Sequence, residues 1–365
     1  MQNNHLTYFK VENFKKFESL ELNDIGQFNL IVGDNNVGKT CLLEALLFDE
    51  DANQLLSNFY IGLTKRGLIF EIKELSTKIG KNIQTEISYP KENYFRNFIV
   101  NKDNLSLKYS FDKDSLEHIE IKPLEDYDFE WDDFEHYGVD YNDLGKQFIV
   151  FSKIYFLDLW QSTNQFTWIY NYDLDILNFP LISFNESPLE KETTRIYESL
   201  KTKKEKQTLI NTLKVVNPNI IDIELRENFE DLKSVFLISF EDKDEFVPLN
   251  FLGDGFKRIF YIILKTISLK GKRIMIDEIE IGIHYSKMKD FWVNIFKVCK
   301  ELDVQLFATT HSEECIEAYV EAAKEVNEQN IRLIRLQENK DKSIKAICYP
   351  YNSFEDIAES KTENR

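Results

Sequence analysis

The spacing of apolar residues changes along the chain, and the first part has the two-residue alternation of strands. Short runs rich in apolar residues predict strands at 6–11, 17–22 and 28–32, joined by turns at 13–16 and 23–26. The third run is the most continuously apolar. We expect the three strands to form the sheet from which the next loop emerges.

Strand-like patterns also occur after the loop that follows residues 28–32. A helical pattern covers 41–48, and further strand-like runs follow at 68–72, 85–89 and 105–109. These runs predict a β-rich N-terminal lobe over residues 1–110.

The middle of the chain, 111–234, has a different composition and is predicted to be an insertion. Segment 112–143 is acidic, and its centre interleaves carboxylates with aromatic residues and has almost no Lys or Arg. We favour a solvated surface segment, which is what charge runs usually form, and an acidic patch for a basic partner is the alternative. An apolar, strand-like run at 146–159 follows. A helical pattern at 189–216 is then expected to form a lever between two lobes.

Strand and helix patterns alternate in the second half. Strands are predicted at 235–240, 273–276 and 305–310, helices at 255–269, 288–302 and 313–326, and a hairpin from 331–336 and 344–349. Such alternation predicts a parallel sheet covered on both faces. We assign 235–350 to a C-terminal lobe and 351–365 to a polar tail.

Composition narrows the functional classes. Hydrophobic residues make up 43% of the 365 positions, which is enough for a large core, while the net charge of −18 disfavours a broad basic face for DNA. A local basic groove stays open. The four cysteines form no C-x-x-C pair, and no apolar run reaches the ~20 residues of a membrane helix. We expect a cytoplasmic protein with reduced thiols and no membrane partner.

Residues 33–40, GDNNVGKT, match the phosphate-binding pattern G-x-x-x-x-G-K-[ST] between a predicted strand and a predicted helix. Glycines allow the backbone amides to turn towards phosphate groups, and the helix N-terminus favours the same charge. Lys39 is expected to reach the β- and γ-phosphates, and Thr40 to place its hydroxyl on Mg²⁺. The predicted nucleotide-binding residues are Gly33, Asn35, Asn36, Gly38, Lys39 and Thr40.

The remaining candidate catalytic and metal-binding residues lie at the ends of two later predicted strands. The apolar run 273–276 ends in Asp277 and Glu278. In a phosphate-loop protein, the first acid holds Mg²⁺ directly or through its water, and the second can act as general base. His311 closes the next strand. A lone histidine is usually structural. His311, however, ends the strand that follows the acidic pair, so it is a candidate contact for the γ-phosphate or the attacking water.

A glycine-bearing turn precedes the helix predicted at 255–269. Amide-rich helix starts bind anions, so this turn is a second candidate anion site, and one chain has no obvious use for two. We therefore expect a dimer in which the turn caps the nucleotide held by the other subunit. The residues assigned to this contact are Gly253, Asp254, Gly255, Lys257 and Arg258.

These four pieces, in this order, resemble the ABC-type ATPase heads of the SMC/RecF/OLD group of P-loop NTPases. Residues 33–40 resemble Walker A, 252–255 the signature loop, 274–278 Walker B, and His311 the switch histidine. The resemblance implies an α/β, SMC-head-like P-loop fold with a β-rich N-terminal lobe and a helical, acidic insertion. It also implies ATP and Mg²⁺ as ligands, slow hydrolysis of ATP to ADP and phosphate, and dimerisation driven by ATP.

Within this group the chain is most similar to stand-alone bacterial OLD-like AAA ATPases, several of which serve in anti-phage defence beside a separate TOPRIM-type nuclease, as in PARIS-type systems. The stretch after His311 is short for a TOPRIM domain, which needs on the order of a hundred residues. The signature loop departs from the usual pattern, since Gly253 and Asp254 stand where Ser and Gly are typical. The Q-loop glutamine is unassigned, and Gln147, Gln161 and Gln165 are the candidates.

Three functions fit these observations. The first is an ATPase switch without its own nuclease, which forms a dimer or higher oligomer and controls a separate effector nuclease in phage defence. The second is a RecF-like or SMC-like DNA repair ATPase, which needs a Lys/Arg groove. A transporter ATPase ranks last. A GTPase is disfavoured, because 101–104 misses the final position of the N-K-x-D guanine motif.

Overall fold

A computed structural model describes residues 5–47, 105–111, 178–184, 190–227 and 234–354. Between these ranges it also describes residue 58, residues 61–62 and four short strands.

The chain alternates between strands and six α-helices in the described ranges. The strands are β1 (Tyr8–Phe14), β2 (Phe17–Asn23), β3 (Phe28–Gly33), β4 (Ile72–Lys73), β5 (Glu86–Ile87), β6 (Leu105–Ser110), β7 (Glu117–Lys122), β8 (Phe148–Val150), β9 (Leu181–Ile182), β10 (Ile220–Glu227), β11 (Ser234–Phe240), β12 (Val247–Pro248), β13 (Arg273–Ile276), β14 (Gln305–Thr309), β15 (Ile331–Glu338) and β16 (Ile344–Pro350). The helices are α1 (Lys39–Ala45), α2 (Glu190–Ser199), α3 (Lys203–Leu213), α4 (Asp254–Ser268), α5 (Tyr285–Leu302) and α6 (Glu313–Val326).

A six-stranded sheet, in the order β16-β15-β3-β14-β13-β9, forms the centre of the molecule. Its strands run parallel except for β16, which pairs antiparallel with β15 at one edge. The predicted strands at 273–276 and 305–310 and the predicted hairpin are confirmed as β13, β14, β15 and β16. The other edge strand, β9, is only two residues long, so its sequence carries no periodic signal.

The two faces of this sheet are covered by different structures. In β3, Phe28 and Leu30 join a hydrophobic cluster with helices α2 to α6, whereas Ile31 joins a second cluster with β1, β2, β6 and α1. In β14, Leu306 lies in the first cluster and Phe307 in the second. The α/β fold predicted from the sequence, with a parallel sheet covered on both faces, is confirmed.

The predicted grouping of the first three strands is wrong. Strands β1 and β2 belong to a separate sheet, in the order β2-β1-β6-β7-β8, while β3 lies in the central sheet. The burial patterns give the reason. Four successive residues of β3 are buried, which suits a strand packed on both faces, whereas β1 and β2 alternate between buried and more exposed positions.

The helical pattern at 189–216 forms two helices rather than one. Thr202 begins α3 as its N-cap, because its hydroxyl accepts a hydrogen bond from the backbone N–H of Glu205 while the Glu205 carboxylate accepts one from that of Thr202. Ile196 in α2 and Leu209 in α3 lie in the main core. Both helices therefore contribute to the core, and a role of this segment as a lever between two lobes stays a prediction.

A buried ion pair ties α2 to α4. The ammonium of Lys265 lies 3.3 Å from the carboxylate of Glu192, and both side chains are almost fully buried. The Tyr261 hydroxyl donates to the same carboxylate oxygen at 2.7 Å. This network joins α2 to the helix that follows the glycine-bearing turn.

The predicted strand at 235–240 is confirmed as β11, but it lies outside the central sheet. It forms a three-stranded antiparallel sheet with β10 and β12. The alternation of apolar and polar residues over 221–226 is the sequence signal that identifies β10.

Of the acidic segment 112–143 the structure describes β7 alone, and of the run at 146–159 it describes only β8. The rest of both segments lies outside the described residues. In the described part of the chain, no helix combines the length and the apolar character needed to cross a bilayer.

Candidate nucleotide site

The phosphate loop follows β3 and requires its glycines. Gly33 and Gly38 have φ angles of +146° and +113°. A Cβ atom on Gly33 would lie 2.5 Å from the carbonyl oxygen of Leu336, and one on Gly38 would lie 3.0 Å from the ring of Phe17. Asn36, at the exposed tip, also has a positive φ of +63°. At Gly33 and Gly38, the two glycine positions of the pattern, the backbone therefore takes a path that only glycine tolerates.

Lys39 is held at the base of this loop. Its ammonium donates to the carbonyl oxygens of Gly33 and Asp34, at 2.7 and 3.0 Å, and lies 3.3 Å from Nδ1 of His311. Burial lowers the pKa of Lys39, and the carboxylates of Asp277 and Glu278 oppose this effect. The cation is thus aimed into the loop, where a phosphate group would meet it.

Asp277 lies at the centre of a cluster of oxygen atoms. Its carboxylate accepts hydrogen bonds from the hydroxyl of Thr40, at 3.0 and 3.2 Å, and from the hydroxyl of Thr309, at 2.6 Å. The side chain is buried. Carboxylate and hydroxyl oxygens are hard ligands, and Mg²⁺ typically takes one or two from the protein and the rest from phosphates and water.

Glu278 lies two residues after the end of β13 and has an unusual backbone conformation. Its φ is +49°, and its carboxylate lies 3.8 Å from Nε2 of His311. Burial, and next the neighbouring charge of Asp277, raise the pKa of Glu278. The backbone N–H of His311 donates to the carboxylate of Glu280 at 2.9 Å. Glu280 thereby connects the loop after β13 to the end of β14.

The structure brings five of the predicted residues together at one edge of the central sheet: Lys39, Thr40, Asp277, Glu278 and His311. This follows from the topology, because β3, β14 and β13 are adjacent and parallel, and all three end at this edge. The residues fit the phosphates of a nucleotide together with Mg²⁺. In the described ranges, no group of three or more His, Cys, Asp or Glu could hold a metal without other ligands.

The glycine-bearing turn lies against the loop that follows β13. A Cβ atom on Gly255 would lie only 2.0 Å from the carbonyl oxygen of Gly282, so the two backbones are in direct contact. Nothing lies within 4 Å of the corresponding position on Gly253. Asp254 is exposed and pairs with Lys257 at 2.6 Å. We call residues 251–257 and 281–285 together the paired loops.

Arg258 has different partners from those predicted. Its guanidinium is buried and donates to four backbone carbonyl oxygens of its own chain, those of Ser183, Phe184, Asp277 and Glu278, at 2.8 to 3.3 Å. A buried side chain with these partners does not reach the surface of another subunit. Arg258 instead links α4 to the ends of β13 and β9.

Three further residues complete the site and had no recognisable signal in the sequence. Thr309 contacts Asp277, Glu280 holds the backbone of His311, and Lys16 donates to the side-chain oxygen of Asn36 at 2.7 Å. Their roles depend on long-range pairing, which neither periodicity nor spacing reveals. The candidate Q-loop residues Gln147, Gln161 and Gln165 lie outside the described residues.

Two known proteins are similar to this chain in sequence. An "ATP/GTP phosphatase" of Helicobacter pylori is 25% identical over 355 residues, covering 87% of this chain and 88% of that protein. An uncharacterised protein of Methanocaldococcus jannaschii is 32% identical over 110 residues, which is 30% of this chain and 92% of the relative.

Solved structures of SMC heads are also similar. The SMC head bound to the C-terminal winged-helix domain of ScpA has a TM-score of 0.48 and 14% identity, covering 96% of this chain and 99% of that one. The SMC head domain of Thermotoga maritima has a TM-score of 0.45 and 12% identity, covering 94% and 99%.

A family model also matches residues 28–317, a range that begins with β3 and ends within α6. It therefore includes the phosphate loop, the Asp277 and Glu278 pair and His311. Because this match covers most of the chain, the protein belongs to the family described as "AAA domain, putative AbiEii toxin, Type IV TA system".

Proposed function

We propose that the protein binds ATP with Mg²⁺ and hydrolyses it slowly, and that the bound nucleotide decides whether two copies associate. The observation that carries this proposal is the direct contact between Thr40 and Asp277 beside the buried ammonium of Lys39. Family membership and the name of the Helicobacter pylori relative support nucleotide hydrolysis as the reaction.

Each residue has a role that its surroundings favour. Lys39 neutralises charge on the β- and γ-phosphates, and Thr40 and Asp277 supply oxygen ligands to the metal. Mg²⁺, when bound, offsets the charge that develops on the phosphate oxygens. Glu278 takes a proton from the attacking water, whose oxygen bonds to the γ-phosphorus as the bond to ADP breaks.

His311 lies between the cation and the general base in this proposal. Its Nδ1 is 3.3 Å from the Lys39 ammonium, and its Nε2 is 3.8 Å from the Glu278 carboxylate. From this position it can donate a hydrogen bond to the γ-phosphate or to the attacking water. The raised pKa of Glu278 makes its carboxylate a better proton acceptor than an ordinary surface glutamate.

Exposed apolar side chains support association of two copies through the paired loops. Phe251 is 81% exposed, Tyr285 is 71% exposed, and Ile281 is a third exposed large apolar residue of these loops. Large apolar groups exposed together favour a protein contact. We assign the cation of the shared site to Lys257, because Arg258 is buried.

We further propose that this switch controls a separate effector, a TOPRIM-type nuclease, in anti-phage defence. The support is the resemblance to stand-alone OLD-like ATPases, together with a family description that refers to a toxin–antitoxin system. Co-purification of the native complex tests the proposal, since a bound nuclease supports it and replication or repair proteins support the DNA-binding alternative.

Nucleotide binding is tested by a lysine exchange and its control. Lys39→Ala is expected to weaken binding of a fluorescent ATP analogue at least about 100-fold, since charge-assisted contacts to phosphate are among the strongest in proteins. Lys324→Ala removes an exposed lysine on α6 and is expected to bind ATP like the parent protein. Equal affinity of the Lys39→Ala variant and the parent would refute the site.

The switch is tested with Glu278→Gln, which keeps the shape of the side chain and removes the base. The variant is expected to retain ATP and to sediment as a dimer with ATP and Mg²⁺, while the parent returns to monomer as ATP is consumed. Hydrolysis at the parental rate would exclude Glu278 as the base. A sedimentation coefficient that ATP does not change would exclude the nucleotide-dependent association.

A further inference from the structure

Thr309 makes three contacts with the two acids and the residue that follows them. Its hydroxyl donates to Oδ1 of Asp277 at 2.6 Å and accepts a hydrogen bond from the backbone N–H of Glu278 at 2.8 Å. Its carbonyl oxygen accepts from the backbone N–H of Ile279 at 3.1 Å. Thr309 is fully buried at the end of β14, so these contacts do not compete with bulk water.

The first contact fixes the carboxylate of Asp277. Thr309 donates to Oδ1, while Thr40 approaches both oxygens and lies nearer to Oδ2. A donor on one oxygen limits rotation of the carboxylate and keeps the other oxygen turned towards Thr40. The orientation that suits the metal is therefore set from β14 and does not depend on Thr40 alone.

The other two contacts hold the backbone of Glu278. Its φ of +49° belongs to the left-handed region, which residues with a side chain rarely adopt. The hydroxyl of Thr309 binds the N–H of Glu278, and the carbonyl of Thr309 binds the next N–H along the chain. Together they stabilise the turn that brings the Glu278 carboxylate near His311.

We propose that Thr309 is a positioning residue, whose single hydroxyl orients the metal-binding carboxylate and the general base together. The proposal rests on the proposed function for the roles of Asp277 and Glu278. It goes further by assigning their geometry to a residue of the neighbouring strand. Groups that orient metal ligands in this way typically change metal affinity or activity 10- to 100-fold when they are removed.

The test compares Thr309→Val with Thr309→Ser. Valine keeps the branched shape and removes the hydroxyl, whereas serine keeps the hydroxyl and removes a methyl group. We expect Thr309→Val to lower kcat roughly 10- to 100-fold with less than about a threefold change in KM for ATP. Thr309→Ser is expected to restore kcat to within about threefold of the parent.

A binding measurement adds a readout that does not depend on turnover. The Mg²⁺ concentration needed for half-maximal binding of a fluorescent ATP analogue is expected to rise about tenfold in Thr309→Val, while affinity without Mg²⁺ stays unchanged. Thr310→Val is the matched control, since Thr310 is the next residue and is also buried. Its hydroxyl accepts from the N–H of Ser312 and contacts the Cys315 thiol, and among the described residues it makes no hydrogen bond to Asp277 or Glu278. Thermal melts establish that each variant is folded, and Thr309→Ala replaces Thr309→Val if the valine variant is not.

Two outcomes would overturn the proposal: parental kcat and Mg²⁺ dependence in a folded Thr309→Val, or equal impairment in Thr309→Ser. A parent protein that neither binds nor hydrolyses ATP would instead contradict the proposed function. Crystal structures of the parent and of Thr309→Val separate the two cases. We expect the Asp277 carboxylate to turn away from Thr40 and Glu278 to lose its positive φ, and unchanged geometry at both residues would refute the role of Thr309.

Discussion

The two surfaces predicted to take part in nucleotide binding are built in opposite ways. At the phosphate-loop edge, polar side chains are buried and have partners: Thr309 donates to Asp277, and Lys39 donates to backbone carbonyls of the loop. At the paired loops, the backbones are packed tightly but the side chains of Phe251 and Tyr285 are exposed. The side chains of the first surface find their partners within one chain, whereas the second exposes the kind of apolar side chains that a partner surface covers.

The largest effect is expected where the two surfaces meet, at Arg258. Exchange for glutamate buries a carboxylate against four carbonyl oxygens, and breaking a buried charged contact in this way costs about 3–5 kcal/mol of unfolding free energy. Thermal or urea denaturation of Arg258→Glu measures the loss. Lys257→Glu changes a half-exposed side chain one residue earlier on the same helix and removes its surface ion pair with Asp254, so we expect stability to change by less than about 1 kcal/mol. Equal stability of the two variants would contradict the buried linking role of Arg258.

An intermediate effect is expected from the contact between the paired loops. Gly255→Ala forces a methyl group against the carbonyl of Gly282, and overpacking of this kind costs about 1–3 kcal/mol. Gly253→Ala is the matched control, because open space surrounds that position. Denaturation curves for both variants provide the measurement. A Gly253→Ala variant as unstable as Gly255→Ala would show that the contact is not the cause.

The smallest effect on the monomer, and the most informative for assembly, is expected from the exposed aromatic residues. The double variant Phe251→Ser with Tyr285→Ser should leave unfolding free energy within about 0.5 kcal/mol of the parent. It should weaken the ATP-dependent dimer at least about tenfold, since aromatic residues dominate protein contacts. Sedimentation equilibrium with Glu278→Gln as background measures this.

Ile221→Ser, which removes an exposed apolar residue of β10, serves as the control for this double variant. It is expected to leave the dimer unchanged. Dimers of equal strength in the aromatic variant and the parent would place the contact between copies elsewhere on the surface.

Features that depend on neighbouring residues can be predicted from the sequence better than features that depend on distant ones. Strand β13 and helix α6 have the predicted bounds, because a strand buried on both faces is a continuous apolar run and a capped amphipathic helix has a clear period. The glycine and lysine positions of the phosphate loop can also be recognised in the sequence, because the whole pattern lies within residues 33–40. These features need no knowledge of distant residues.

Long-range pairing explains what the sequence analysis missed. The parallel pairing of β3 with β14 joins residues almost 280 positions apart, as in the pair formed by Leu306 and Phe28, and nothing near β3 indicates that β14 is its partner. The partners of Arg258 are backbone carbonyls, which every residue carries, so no pattern of residue types reveals them. The contacts of Thr309 with the acids are hidden for the same reason.

The buried pair of Glu192 and Lys265 constrains how relatives of this protein can diverge. Losing one partner leaves a lone charge in the core, which is costly, whereas replacing both with apolar residues of similar volume is often neutral. The two positions are therefore expected to change together during evolution. A relative that has lost α2 should carry an apolar residue in place of Lys265.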